Sequence, residues 1–220
     1  MTAPQPRRPA AGDGLPPLPP WALPAILVVL ALAGAAVFPF DARVMDAVRA
    51  LHEAAPPAWI VWRRAVPVLL FFANGGFLIP AALGLYAAGR VLRDSVLRHT
   101  GAALSLALVT GGISSQLLKH LLGRVRPNFG GHGEFIGPNL AHGPDSFPSG
   151  HATDAFVVAW ALWRLHPRLG WVALPIAALV AFQRVEGVKH FPSDVAAGAI
   201  LGICVAELVL RRLAPRPPAA

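Results

Sequence analysis

Long apolar stretches separated by short polar clusters leave this chain few ways to fold. No water inside a bilayer can satisfy a bare peptide group, so a stretch that crosses one must be a helix or part of a closed barrel. Residues 21–38 carry no charge, and neither do residues 65–89, which lie between Arg63-Arg64 and Arg90. Both are long enough for a spanning helix, the second with a bend expected at Asn74-Gly75-Gly76 or Pro80. Further spans are expected over 101–122, 151–165, 170–182 and 195–210, with Gly101, Ser105, Gly111 and Ser115 suited to close helix packing. The expected fold is all-α, a bundle of six transmembrane helices. An apolar content of 55%, only 14% charged residues and a mean hydropathy of +0.55 agree, since a soluble domain is more polar.

Residues 1–20 hold seven prolines and too little apolar surface to offset the entropy of ordering them. A disordered tail is expected there and again over 213–220, leaving 21–212 as the folded unit. Arg7 and Arg8 ahead of 21–38 also fit a signal peptide, but the spans that follow favour a retained helix. Over 41–57, Val44, Val48 and Leu51 recur at three-to-four spacing. That pattern reads as a short amphipathic helix near the interface or, equally, as a solvated loop with a helical turn. Cys204, the single cysteine, lies in an apolar run and reads as a packing residue. The net charge of +8 is scattered in small groups, not drawn into a stripe, so no nucleic-acid partner is expected.

Six spans put both termini on one side of the membrane and the loops 123–150 and 183–194 together on the other. Ten of the nineteen Lys and Arg residues fall on the terminal side and nine opposite. Three of those nine, Lys119, Arg126 and Arg184, belong to one polar cluster, which leaves ten against six. The bias predicts cytoplasmic termini and a cluster facing the periplasm or exterior.

The cluster has a chemistry. Pro148-Ser149-Gly150-His151 opens one helix and Phe191-Pro192-Ser193-Asp194 opens another, and exposed N–H groups at helix starts attract anions. Lys119, Arg126 and Arg184 add permanent positive charge, and Arg grips phosphate through paired hydrogen bonds. His190 and Asp194 are four residues apart, close enough for the carboxylate to accept the Nδ1–H if the chain turns helically between them. Nε2 would then keep a free lone pair, as a nucleophile requires. His151 supplies a second proton-transfer group, and the set suffices for phosphate-ester hydrolysis.

These motifs resemble the type 2 phosphatidic acid phosphatase superfamily, which includes bacterial lipid phosphatases and vanadium haloperoxidases. Its signature is Lys-x6-Arg-Pro, then Pro-Ser-Gly-His, then Ser-Arg-x5-His-x3-Asp. Lys119 to Pro127, Pro148 to His151, and Arg184, His190 and Asp194 match in order and spacing, with Gln183 where the family usually has Ser. The resemblance implies a phosphohistidine on His190, oriented by Asp194, with His151 as general acid and then base. It assigns Lys119, Arg126, Ser149, Gly150 and Arg184 to the phosphoryl oxygens and requires no metal or cofactor. It also implies a multi-pass protein, of the inner membrane in a bacterium, whose partner is an amphiphilic lipid phosphate. Undecaprenyl diphosphate, phosphatidylglycerophosphate, phosphatidic acid and lipid A type phosphates all qualify. A vanadate haloperoxidase and a silent phosphate-lipid binding or transport protein are the alternatives. The apolar content disfavours the first, and the retained His190, Asp194 and His151 disfavour the second.

Other polar residues are given plainer roles. Arg124 is expected to snorkel to the headgroups. His120, His132 and His142, with Glu134 or Asp145, show no characteristic metal-ligand spacing and read as solvated loop residues. Asp154, one turn beyond His151, either bonds it or sits in the first helical turn where a negative charge is favoured, Glu186 and Lys189 either tune headgroup choice or pair together, and Glu207 reaches Arg211 one turn on.

Overall fold

The computed structural model describes residues 18–54, 57–141 and 143–213. The calls for residues 1–17 and 214–220 as tails, and for His142, lie outside them. Eight α-helices are described: α1 (Ala22–Val37), α2 (Asp41–Glu53), α3 (Pro57–Phe72), α4 (Gly75–Val91), α5 (Ser95–Leu122), α6 (Gly150–Leu165), α7 (Pro167–Glu186) and α8 (Pro192–Leu213). No strand occurs among the described residues, only an isolated bridge between Arg124 and Phe135.

Three helices, α5, α7 and α8, are long and apolar enough to cross a membrane, and the pair 66–72 and 75–91, bent by 47°, adds a fourth only if it forms one span. The six expected spans are therefore not all established. Helices α1 and α6 form where spans were expected, but each has 16 residues. At 1.5 Å per residue each covers about 24 Å, short of a hydrocarbon core of about 30 Å. The predicted bend falls at Asn74, whose side chain accepts from Gly76 N at 2.7 Å and so caps a new helix. Helix α5 starts earlier than expected because Asp94 Oδ1 accepts from Val96 N at 2.8 Å and Leu97 N at 3.0 Å.

Membrane contact is written on the helix faces. Leu106, Val109, Ile113, Leu117 and Leu121 form one exposed apolar stripe along α5, and Trp171, Val172, Ile176 and Leu179 form another on α7. In water these stripes would be a severe liability. Facing lipid they are the expected surface, and the chain is an integral membrane protein. The buried centre lies where α5, α6 and α8 meet, around Leu108, Val157, Val205 and Ala206.

Helix α4 lies on α5 and helix α6 on both α7 and α8. Gly101 allows the first approach: a Cβ there would stand 2.3 Å from Tyr86 N. Gly101→Leu is therefore expected to lower the thermal midpoint of the detergent-solubilised protein by about 5 °C or more, the scale of an overpacked core. Gly84→Leu, at a position with open space around it, should leave the midpoint unchanged.

Helix α2 is present, so the helical alternative for 41–57 holds. Its apolar residues Val44, Val48 and Leu51 line a groove against α7 and α8. Its polar residues reach the loops: Arg49 donates to Pro127 O at 3.1 Å and His52 meets Glu186 at 3.0 Å. The C-terminal part of α1 meets the start of α8, with Gly34 beside Ala196 and Ile200. The α1–α2 corner, the 123–149 loop and the start of α8 thus share one end of the bundle. At the opposite end Glu207 accepts from Arg211 Nε at 3.1 Å, as expected, and also from Arg164 Nε at 3.2 Å and Trp160 Nε1 at 3.0 Å.

Candidate active site

Each polar motif sits at a helix end, where the chain leaves the bundle. Lys119, in the last turn of α5, is buried and donates from Nζ to Asp145 O. Arg126 donates to both oxygens of Asp145, Nε to Oδ1 at 2.6 Å and Nη2 to Oδ2 at 2.8 Å. Asp145, weighed from the sequence only as a metal partner, thus orients the guanidinium. Burial alone would raise its carboxyl, but Arg126 and Lys119 hold it below the ordinary 3.8.

Ser149 stands at the N-cap position of α6 with no side-chain cap bond, and its N–H donates to Asp194 O at 2.9 Å, which joins the starts of α6 and α8. Gly150 faces Lys119 and Ser115: a Cβ there would stand 3.9 Å from Lys119 Cε and 3.8 Å from Ser115 Oγ. Ser149 Oγ, Ser115 Oγ and Arg184 Nε are buried without a hydrogen-bond partner among the described residues. Buried polar atoms are normally satisfied. Orphaned donors and cations at one end of the bundle would suit an anion.

His190 precedes α8 and is 2% exposed. Its Nδ1 lies 2.8 Å from Ser146 O and 3.7 Å from Asp194 Oδ2. This corrects the expected pairing, because the acceptor of the Nδ1–H is a backbone carbonyl and Asp194 stands behind it. The segment between His190 and Asp194 is not helical throughout, since α8 begins only at Pro192. A carbonyl can only accept, so Nδ1 carries the proton and Nε2 the lone pair. Asp194 is itself held by Ser146 Oγ at 2.5 Å and Phe191 N at 2.8 Å.

Burial pushes the His190 imidazole from 6.5 to about 4, with Lys119 and Arg184 acting in the same direction and Asp194 opposing them. The ring is therefore neutral at pH 7. With neutral His190 as the expected nucleophile, the acid limb of kcat/KM is expected near pH 4, with activity lost as pH falls through it. A pH–rate profile of the free enzyme checks this, and a limb near 6.5 would contradict it.

His151 lies within electrostatic reach of Arg184, His190, Lys119 and Arg126, so the predicted residues do gather at one end of the bundle. Of these residues, His190 and Arg184 are buried. His151 instead opens on a cavity of about 390 Å³ lined by Leu70, Phe71, Asn74, Gly76 and Phe77, at the break between α3 and α4.

Four plainer readings need correction. Arg124 does not snorkel: it is 1% exposed, bonded to Asp194, Ser193 and Asp41, with Phe191 stacked on it at 4.3 Å. Glu186 pairs with His52 and with Trp62 Nε1 at 3.2 Å, leaving Lys189 exposed. His120 is no solvated loop residue, because it ends α5 and its Nδ1 donates to Asn139 O at 2.9 Å. Asp154 packs against Gly75 across the bundle, within 2.9 Å of where a Cβ would stand. Gln183, in place of the family's Ser, is buried and accepts weakly from Arg184 Nη1 at 3.5 Å.

Fold and cluster together define a helical membrane protein with a basic, histidine-bearing centre at one end. The PAP2 superfamily model matches residues 100–217, just over half of the chain, and the chain belongs to that superfamily. It is 34% identical over 151 residues to the lipid A 1-phosphatase of Rhizobium johnstonii, covering 66% of this chain and 58% of that protein. It is 33% identical over 141 residues to the decaprenylphosphoryl-5-phosphoribose phosphatase of Mycobacterium tuberculosis, covering 61% of this chain and 70% of that protein. Among solved structures it resembles the transmembrane PAP2 type phosphatidylglycerolphosphate phosphatase of Bacillus subtilis, with a TM-score of 0.63 and 26% identity over 88% of this chain and 94% of that one. Aquifex aeolicus LpxE shares the fold, with a TM-score of 0.57 and 23% identity over 76% of this chain and 93% of that one.

Proposed function

We propose that this protein is a membrane phosphatase that hydrolyses the phosphomonoester or diphosphate of a lipid through a phosphohistidine. The observation that carries the reading is His190: its Nδ1 lies 2.8 Å from Ser146 O, which leaves the lone pair on Nε2, and the Lys119 and Arg184 charges act on the ring. Nε2 attacks phosphorus, and the phosphorus–oxygen bond to the lipid breaks as His151 donates a proton to the departing oxygen. His151 then takes a proton from water, whose oxygen attacks phosphorus, and the phosphorus–nitrogen bond breaks to release phosphate. Lys119, Arg126, Arg184, Ser149 and the Gly150 N–H hold the phosphoryl oxygens through both steps.

A lipid leaving group is supported by where His151 opens. The group it protonates departs into a cavity walled by Leu70, Phe71 and Phe77, which suits the first carbons of an amphiphile. The charge bias of the sequence supports an orientation with this end at the periplasm or exterior, and undecaprenyl diphosphate, phosphatidylglycerophosphate, phosphatidic acid and lipid A type phosphates all fit. In mixed micelles, phosphate release from these lipids should exceed release from glycerol phosphate by about 100-fold, the contribution of remote binding to turnover. Equal rates on the water-soluble ester would overturn the lipid assignment.

A further inference from the structure

Resting on the phosphohistidine reading, we propose that Arg124, clamped by Asp41, is a positioning residue that holds Asp194 against the nucleophile and sets the charge behind the His190 ring. The cluster is fully buried: Arg124 is 1% exposed, Asp41 3% and Asp194 0%. Arg124 Nη1 donates to Asp194 Oδ1 at 2.6 Å and to Ser193 Oγ at 2.7 Å, while Nη2 donates to Asp41 Oδ2 at 2.7 Å. Asp41 also accepts from Ser193 N at 3.0 Å and from Ser193 Oγ. Phe191, Phe38 and Phe135 lie against the guanidinium at 4.3, 4.9 and 5.1 Å, which excludes water from the pairs.

Two carboxylates and one guanidinium sum to a single negative charge. While the ring is neutral that charge has no full partner, but a ring phosphorylated on Nε2 and protonated on Nδ1 is a cation. The cluster therefore favours the covalent intermediate over the resting ring. Arg124 prevents the cluster from carrying two negative charges, which would draw a proton onto one carboxylate. Asp41 lies outside the residues matched by the family model, so the α1–α2 corner contributes to a centre that its motifs alone do not define.

The test uses the full-length protein in detergent with a lipid phosphate. Besides the cluster, the groups facing His190 are Lys119 on α5, His151 on α6 and Arg184 on α7, and all three stay unchanged in the variants. Asp41→Asn removes a negative charge and should move the acid limb of kcat/KM to lower pH. Arg124→Gln removes a positive charge and should move it higher. Each should lower kcat about 10- to 100-fold with little change in KM, the usual effect of losing a group that orients a reacting ligand. The double variant Asp41→Asn/Arg124→Gln restores the net charge and should bring the limb back toward the wild-type position. Where Arg124→Gln fails to fold, Asp41→Asn and Arg124→Lys still decide, because lysine keeps the charge and leaves the limb in place while kcat falls. An unmoved limb in Asp41→Asn, or limbs moving the same way in both single variants, overturns the proposal. A wild-type protein that releases no phosphate overturns the phosphatase reading instead.

Discussion

His190→Ala should reduce phosphate release from a lipid phosphate by about four orders of magnitude or more, the loss seen when a covalent nucleophile is removed. The variant lacks the imidazole that takes phosphorus, and two neighbouring groups are already engaged. Asp194 is bonded through both oxygens, and Ser146 Oγ donates to it. The cations and orphaned donors remain, so binding of the lipid should persist while turnover disappears. Wild-type protein given ³²P-labelled substrate and quenched in alkaline detergent should carry base-stable phosphate that acid releases, and the variant none. Label retained in His190→Ala would move the nucleophile elsewhere.

The second largest effect is expected at His151. Its replacement by Asn should slow hydrolysis of an alkyl or lipid phosphate about 10²- to 10⁴-fold, the range of general acid–base catalysis. The size of the loss should depend on the leaving group. An aryl phosphate expels a phenolate that needs no proton, so its first chemical step should be almost unaffected in His151→Asn. Because the same residue activates water in the second step, phosphoenzyme should accumulate. Stopped-flow measurement should show a burst of phenolate equal to the enzyme, followed by slow turnover. Equal loss on both esters, without a burst, would remove His151 from proton transfer and leave it a binding residue.

Much of the site is legible in the chain because it is local. Lys119 and Arg126 leave the bundle together at the end of α5, and Ser149 precedes Gly150 and His151, the first residues of α6, so their placement follows once the helices are drawn. Asp145 is adjacent to the same loop yet carries no helical period or ligand spacing that would single it out. Its role appears only where Arg126 folds back across 19 residues to meet it. Helix lengths are less legible than helix existence. The Asn74 cap that divides α3 from α4, and the Asp94 cap that starts α5 early, compete with apolar continuity and win by satisfying helix-end N–H groups.

Read alone, the sequence determined the solvent and the inventory: apolar stretches that must be helical in lipid, and cations and histidines at their ends. It did not determine which group each buried charge would meet. Arg124 reads as a headgroup anchor until Asp41, 83 residues away, is brought over it beneath three phenyl rings. His190 reads as Asp194's partner until the late start of α8 turns the ring to Ser146 O. The physical reason is the same in both cases. A charge or donor removed from water takes the nearest well-aligned partner, and that partner is set by packing between distant segments, which local spacing does not encode.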